Sequence, residues 1–365
     1  MGRTSLTVLS GLGTGWMATR ALLRAGRRYD LHGKSVLITG GSRGLGLAMA
    51  REFARRGSKL AICARDVDEL EIARVDLESR GAEVIAVPCD VTVREEAQRL
   101  TEEVCERFGC VDVLVNNAGV IEMGPVESMT LEDFEEAMRI HFYAPLYLTL
   151  AVVPEMRRRR HGRVVNISSF GGLISVPHLL PYCSSKFALT GFSEGLRAEL
   201  ARDHVLVTTV APGLLRTGSA RHAWFKGHPL REYKWFRAGA ALPLVSMDPA
   251  RAARKIVGAC QRGAAELILT PQAKLLAKGK ALFPELFTDL MDLADRVLPD
   301  GFDGTMEKVE GSELEPPRGG SLLDRLNRFA AIRFNEYARE EPIPLNSDRR
   351  ARSHVRTGAA AGRAS

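Results

Sequence analysis

SVLITGGSRGLG, residues 35–46, decides the fold: a short apolar run leads into a glycine-rich loop, and a helix-compatible segment, 47–56, follows. Glycine permits tight turns and leaves backbone N–H groups uncovered. The start of the next helix adds unpaired N–H groups and the positive end of its dipole. Gly40, Gly44 and Gly46, with Ser42, Arg43 and Leu45 between them, therefore predict a cradle for a pyrophosphate between a strand and a helix.

Working outward, the same alternation repeats. Apolar strand-like runs at 59–64, 83–88, 111–116, 162–167, 205–210 and 265–270 are separated by helix-compatible segments at 67–79, 94–108, 131–157, 183–202 and 249–260. Pro145 and Pro154 should end or kink the 131–157 segment. This order predicts an α/β protein: a doubly wound, mostly parallel sheet with helices on both faces, plus helical N- and C-terminal extensions. The expected units are a basic amphipathic extension over 1–32, a catalytic domain over 33–272 with a lid at about 214–245, a helical extension over 273–298 and a partly flexible C-terminal extension over 299–365. Within the last, 322–337 can form an amphipathic helix, and the ordered core is expected to end near Leu298.

The net charge of +7 is concentrated at the ends, with Arg3, Arg20, Arg24, Arg27 and Arg28 at one and Arg349, Arg350, Arg352, Arg356 and Arg363 at the other. Such ends serve as solubilising tails or meet anionic membranes; no aromatic-basic alternation or zinc-finger spacing supports nucleic-acid binding. Arg20 and Arg24 interrupt the apolar stretch 5–26, so it is no transmembrane span. Leu12, Trp16, Leu22 and Leu23 suit either an interfacial or an internally packed helix. Six cysteines without a CxxC pair and eight histidines without HExxH predict no disulfide framework and no metal site, and a reducing, cytoplasmic location, with membrane association left open.

Ala64 stands where a carboxylate at the end of the second strand would accept adenosine ribose hydroxyls, and Arg65 follows it. Arg43 and Arg65 can pair with the extra ribose phosphate of NADP, or be solvated surface charges; Asp66 is the dissenting acid. NADP(H) is preferred, NAD(H) being the alternative. Asp90 can hydrogen-bond the adenine amino group while Val91 packs on the ring, although Asp90 alone would read as a cap. Asn117, Ala118 and Gly119 after the fourth strand permit close cofactor approach.

Ser169 precedes Tyr182 by thirteen residues, and Lys186 follows Tyr182 by four, one helical turn on the same face. An ammonium beside a phenol stabilises its phenolate and makes proton exchange practical, and a serine hydroxyl steadies a substrate oxygen. Each residue alone also has an ordinary structural role; together, and following a strand in a dinucleotide-type fold, they form a candidate active site.

With TGGSRGLG at 39–46, NNAG at 116–119, Ser169, YCSSK at 182–186 and PG at 212–213, the chain resembles the short-chain dehydrogenase/reductase family over about residues 33–270. The resemblance implies a Rossmann-type fold, with Tyr182 as acid/base, Ser169 orienting substrate, Lys186 lowering the tyrosine pKa and binding the nicotinamide ribose, and Pro212, Gly213 and Thr217 near the nicotinamide carboxamide. It also implies a homodimer or homotetramer. His141 stands where the family commonly has an asparagine serving a proton-relay water; it can bind that water, shuttle a proton, or be a core histidine. Trp224, Phe225, Trp235 and Phe236 suit either an apolar lid or a core. The expected activity is NADP(H)-dependent interconversion of a carbonyl and a secondary alcohol on an apolar small molecule. A nucleotide-sensing or scaffold protein on the same fold is the alternative.

Overall fold

A computed structural model describes residues 28–241, 246–299, 306–315, 329 and 331–337. The expected N-terminal helix, the end of the lid at 242–245 and most of the 322–337 helix lie outside them. Strands β1 (Ser35–Thr39), β2 (Lys59–Ala64), β3 (Val84–Pro88), β4 (Val113–Asn116), β6 (Gly162–Ile167), β7 (Val205–Ala211) and β9 (Glu266–Ile268) form one sheet in the order 3-2-1-4-6-7-9. Every pairing in it is parallel.

The pleat sends alternate residues into two cores. Val36 and Ile38 pack with Met49 and Phe53 of α1 (Gly44–Ala54), Leu70 of α2 (Val67–Glu78) and Ile256 of α8 (Pro249–Arg262). Leu37 turns the other way, toward Leu100 of α3 (Arg94–Phe108) and Leu148 of α5 (Ala144–Arg159). Helices on both faces explain why the strands are apolar throughout rather than alternating. Strand order reverses between β1 and β4, which opens a crevice at the carboxyl ends of the strands.

The 131–157 segment departs from a single kinked helix. It forms α4 (Leu131–Met138), a π turn over Arg139–Tyr143, and α5. Pro145 has no N–H for the carbonyl of His141 four residues back, and its ring would crowd that carbonyl; one widened turn removes the conflict. Pro154 is carried inside α5 without ending it.

A second, three-stranded sheet stands at the mouth of the crevice. Its centre is β8 (Trp224–Phe225), parallel to β5 (Glu122–Met123) and antiparallel to β10 (Val309–Glu310). Phe225 packs there with Met123 and with Tyr233 and Phe236 of α7 (Pro229–Ala241). The sheet rests on a buried charge cluster. Lys226 Nζ lies 2.6 Å from Asp133, and Lys308 Nζ lies 2.8 Å from Asp133 and 3.3 Å from Glu122. Burial works against the Asp133 carboxylate, but hydrogen bonds from Lys226 and Lys308 outweigh it and hold its pKa low. Glu122, with weaker compensation, is pushed by burial up to about 7.

Residues beyond Leu298 thus return to the folded body, through β10 and through 331–337. Pro284 divides the helical extension expected over 273–298 into α9 (Pro271–Leu282) and α10 (Pro284–Asp295). All six cysteines are free thiols, and Cys63, Cys89, Cys183 and Cys260 are buried. No helix among the described residues is long and apolar enough to cross a membrane.

Candidate active site

The phosphate loop runs from the end of β1 into α1. Gly44 has φ +56, a left-handed conformation that suits glycine, and a Cβ on Gly46 would drive into the Gly40 carbonyl. Asn117 binds this loop to β4: its Nδ2 donates to the carbonyls of Thr39 and Gly40 at 2.9 and 3.2 Å. The N–H groups of Asn117 and Ala118 both donate to Thr39 Oγ1 at 2.9 Å. The glycine loop is therefore fixed by backbone contacts, with no room for a side chain at Gly46.

Around it, Arg43 lies 2.7 Å from the buried Glu69 and 3.5 Å from Glu336, and Ser42 Oγ donates to Glu69 at 3.1 Å. Arg65 is exposed at the rim. Asp66 caps α2 by accepting the Glu69 N–H. Asp90 Oδ1 accepts both the N–H and the hydroxyl of Thr92, so it does form a local turn, while the buried Val91 lines the same cleft.

Tyr182 and Lys186 lie on α6 (Leu180–Leu200), and Ser169 follows β6. Lys186 is buried, donates to the Ile167 carbonyl at 3.0 Å and lies 5.7 Å from the centre of the Tyr182 ring. Tyr182 opens on the cleft, yet enough protein surrounds it for desolvation to push its phenol up to about 12; a hydrogen bond with Ser169 works in the other direction. Desolvation brings Lys186 down to about 7. Burial therefore favours the neutral form of both groups: the phenol stays protonated across the neutral range, whereas Lys186 lies close to a balance that a nearby charge can tip.

His141 sits in the π turn and is buried. Its Nε2 accepts the Val120 N–H at 3.2 Å, so Nδ1 carries the proton and donates to Ser185 Oγ at 2.8 Å; Ser185 in turn donates to the Tyr182 carbonyl. Desolvation, then repulsion from Lys186, holds the ring well below the usual histidine pKa. Its plane stands edge-on to Tyr182 at 5.2 Å between centroids.

One cleft of about 2310 Å³ joins these parts, bounded by the phosphate loop, Asp90, Ser169, Tyr182, Pro212, Gly213 and Thr217. Trp224, Trp235 and Phe236 line its outer wall; Phe225 instead fills the core of the small sheet. Sequence reasoning missed Glu69 and Glu336 beside Arg43, and the half-buried His178 paired with the buried Glu232, 2.7 Å apart. The left-handed φ of 63 at His178, a non-glycine residue, leaves no mark in the sequence. Glu122, Asp133 and Glu136 have carboxylates close enough to share a cation, but the Lys226 and Lys308 ammonium groups already lie among them.

These features agree with comparisons to known proteins. The family model described as short chain dehydrogenase matches residues 34–225. A dehydrogenase/reductase SDR family protein 7-like from Anopheles gambiae is 38% identical over 198 residues, 53% of this chain; the match spans 62% of that relative's own length. A fatty acyl-CoA reductase from Acinetobacter baylyi is 30% identical over 274 residues, 74% of this chain and 88% of its own. The crystal structure of a short-chain dehydrogenase from Streptomyces avermitilis aligns with a TM-score of 0.64 at 31% identity, covering 73% of this chain and 98% of that one. The chain belongs to the short-chain dehydrogenase family, NAD(P)-dependent oxidoreductases that act on CH–OH and carbonyl groups.

Proposed function

We propose that this chain is an NADPH-dependent reductase of a carbonyl on an apolar substrate. The observation that carries the reading is the placement of Tyr182 beside Lys186 in a cleft that joins the glycine cradle to an aromatic wall. A proton donor is what reduction needs, whereas alcohol oxidation needs the phenolate.

A bound nicotinamide supplies the hydride. Tyr182 gives its phenolic proton to the substrate oxygen as the carbonyl carbon is reduced, and Ser169 donates a hydrogen bond to the same oxygen. Lys186, as ammonium, stabilises the phenolate left behind, and the Ile167 carbonyl aims it. His141, neutral and with both ring nitrogens engaged by protein, is a positioning residue for the Tyr182 backbone rather than a proton shuttle. Gly40, Ser42, Gly44, Leu45, Gly46, Asn117, Ala118, Gly119, Pro212, Gly213 and Thr217 line or shape the dinucleotide site. The preference for NADPH rests on Arg43 and the exposed Arg65 at the cradle, with Ala64 in place of a ribose-binding acid.

An apolar substrate fits the Trp224, Trp235 and Phe236 wall and the name of the Acinetobacter relative. It also fits the outer surface. Leu275, Leu282, Phe283, Leu286, Leu290, Leu293 and Val297 are exposed on or just beyond α9 and α10, and Leu276 of α9 reaches the cleft. This face suits contact with a bilayer from which substrate enters. Liposome sedimentation of the full chain checks it; equal recovery with and without vesicles argues against it. Self-association through the exposed Tyr143, Leu150 and Phe187 is part of the same proposal, and light scattering that gives a monomer would overturn it.

The central test is a panel of medium-chain aldehydes, ketones and steroid ketones assayed with NADPH and NADH. Turnover with NADPH, and at least about tenfold lower kcat/KM with NADH, is expected, since a lost charge-assisted phosphate contact is worth 1.4 kcal/mol or more. NADPH binding without turnover across the panel would favour a sensor instead.

A further inference from the structure

Residues 331–337 return to the phosphate loop and bind it closely. The Phe334 carbonyl accepts the Gly44 N–H at 2.8 Å. Asn335, left-handed at φ 64, donates its Nδ2 to the Ser42 carbonyl at 3.0 Å and to the Glu69 carbonyl at 3.2 Å. Phe334, Asn335 and Glu336 are all buried, and Arg51 donates to the Arg333 carbonyl while lying over the Phe334 ring. The Glu336 carboxylate reaches the loop itself. It lies 3.5 Å from Arg43 Nε and 3.3 Å from His222 Nε2, and a Cβ on Gly44 would meet its Oε1 at 2.8 Å and Thr217 at 4.0 Å.

Between them the two residues take up groups that would serve a phosphate: the Phe334 carbonyl holds the Gly44 N–H at the first turn of the helix, and the Glu336 carboxylate lies beside Arg43, over a glycine with no side chain. Two anions cannot share so small a buried volume at low cost. We propose that residues 331–337 are an internal competitor for the dinucleotide: Glu336 and the Phe334 carbonyl occupy the anion position of the phosphate loop, and cofactor binding expels the segment. The inference rests on the cofactor reading above.

Two features weaken the segment's hold, against the burial of Phe334 in the core that release must overcome. Arg43 is shared with the nearer Glu69, and Asn335 Oδ1 is buried without a partner. Burial pushes Glu336 up to about 7; Arg43 draws it down, and Glu69 raises it further. A dinucleotide diphosphate, with more charge and more oxygens, would compensate the Gly44 N–H and the Arg43 guanidinium better. Competition of this kind lowers the apparent affinity by the fraction of molecules in which the site is open.

The test uses the full chain and NADPH as the probe. Dissociation constants are measured for the parent chain, Asn335→Ala, which removes the two anchoring hydrogen bonds, and Glu336→Gln, which removes the competing charge. Amide exchange at 331–337 is followed in the parent chain with and without NADPH. Asn335→Ala is expected to bind NADPH about tenfold more tightly and Glu336→Gln about threefold, by release of the closed fraction; NADPH should speed exchange across 331–337. Unchanged or weaker binding in both variants, or slower exchange with NADPH, would identify the segment as a clamp or a passive strap and overturn the proposal. If neither the parent nor the variants bind NADPH, the cofactor reading falls too; binding that ignores the variants removes only the competitor.

Discussion

Lys186 Nζ lies 5.7 Å from the centre of the Tyr182 ring and donates to the Ile167 carbonyl at 3.0 Å, so a backbone oxygen, not a carboxylate, holds the only ammonium facing the phenol among the described residues. With no anion to neutralise it, Lys186 is lowered by desolvation from 10.5 to about 7. The sign of the linkage follows. Above pH 10.5 the residue is neutral in both folded and unfolded chains and contributes nothing. As pH falls toward 7 the unfolded chain takes up the proton first, so a penalty on folding grows, and below 7 it is constant. Lys186→Met should therefore melt at a higher temperature than the parent at neutral pH, with the gain shrinking as pH rises toward 10.5, while losing activity. A gain independent of pH would contradict this account.

The raised pKa of Tyr182 makes the two reaction directions respond differently to pH. Carbonyl reduction uses the protonated phenol, which persists up to about 12, so a fall in its rate through the neutral range would belong to loss of the Lys186 ammonium near 7 and not to Tyr182. Alcohol oxidation uses the minor phenolate and should climb by up to about tenfold per pH unit below that pKa. Tyr182→Phe should cost roughly 100- to 10,000-fold in kcat, with the NADPH dissociation constant little changed. Steady-state rates in both directions across pH check the first expectation, and fluorescence titration with single-turnover assay checks the second.

His141 is neutral and committed on both ring nitrogens. The pH profile of the parent enzyme should accordingly lack a limb near 6.5 that belongs to it. His141→Asn should keep the shape of that profile, whereas His141→Leu strips the partner from the Val120 N–H and should destabilise the fold by about 1–3 kcal/mol. A limb present in the parent and missing from His141→Asn would restore the histidine to the proton path.

Lys226 is the buried cation of the small sheet. Replacing it with Met leaves Asp133 with Lys308 alone and moves Glu122 further toward its neutral form. Urea denaturation of Lys226→Met should show a loss of about 3–5 kcal/mol, the usual cost of removing one partner from a buried ion pair. A loss under about 1 kcal/mol would mean that Lys308 compensates fully.

What could be read from the chain beforehand follows the range of the interactions concerned. The strands, the glycine loop and the Tyr182–Lys186 pair were legible because each depends on neighbours within a few residues. The π turn was not: Pro145 announces an interruption, but whether a helix breaks, bends or widens depends on what packs around His141. The Phe334–Gly44 and Lys226–Asp133 contacts join segments far apart in sequence, and a lone glutamate or lysine carries no sign of its distant partner. The four lid aromatics had two readings, and the structure divides them: Phe225 belongs to the core, Trp224 and Trp235 to the cleft, and Phe236 packs in the core while lining the cleft.

The outer strand of the small sheet, Val309–Glu310, has a consequence for synthesis. The last strand of the large sheet ends at Ile268, so all its strands can pair while the rest of the chain, including the Phe334 that completes one of its cores, is still leaving the ribosome. The wall of the substrate cleft waits for β10 and Lys308 to arrive. A nascent chain halted between these points would carry a finished dinucleotide fold with an open and hydrophobic mouth.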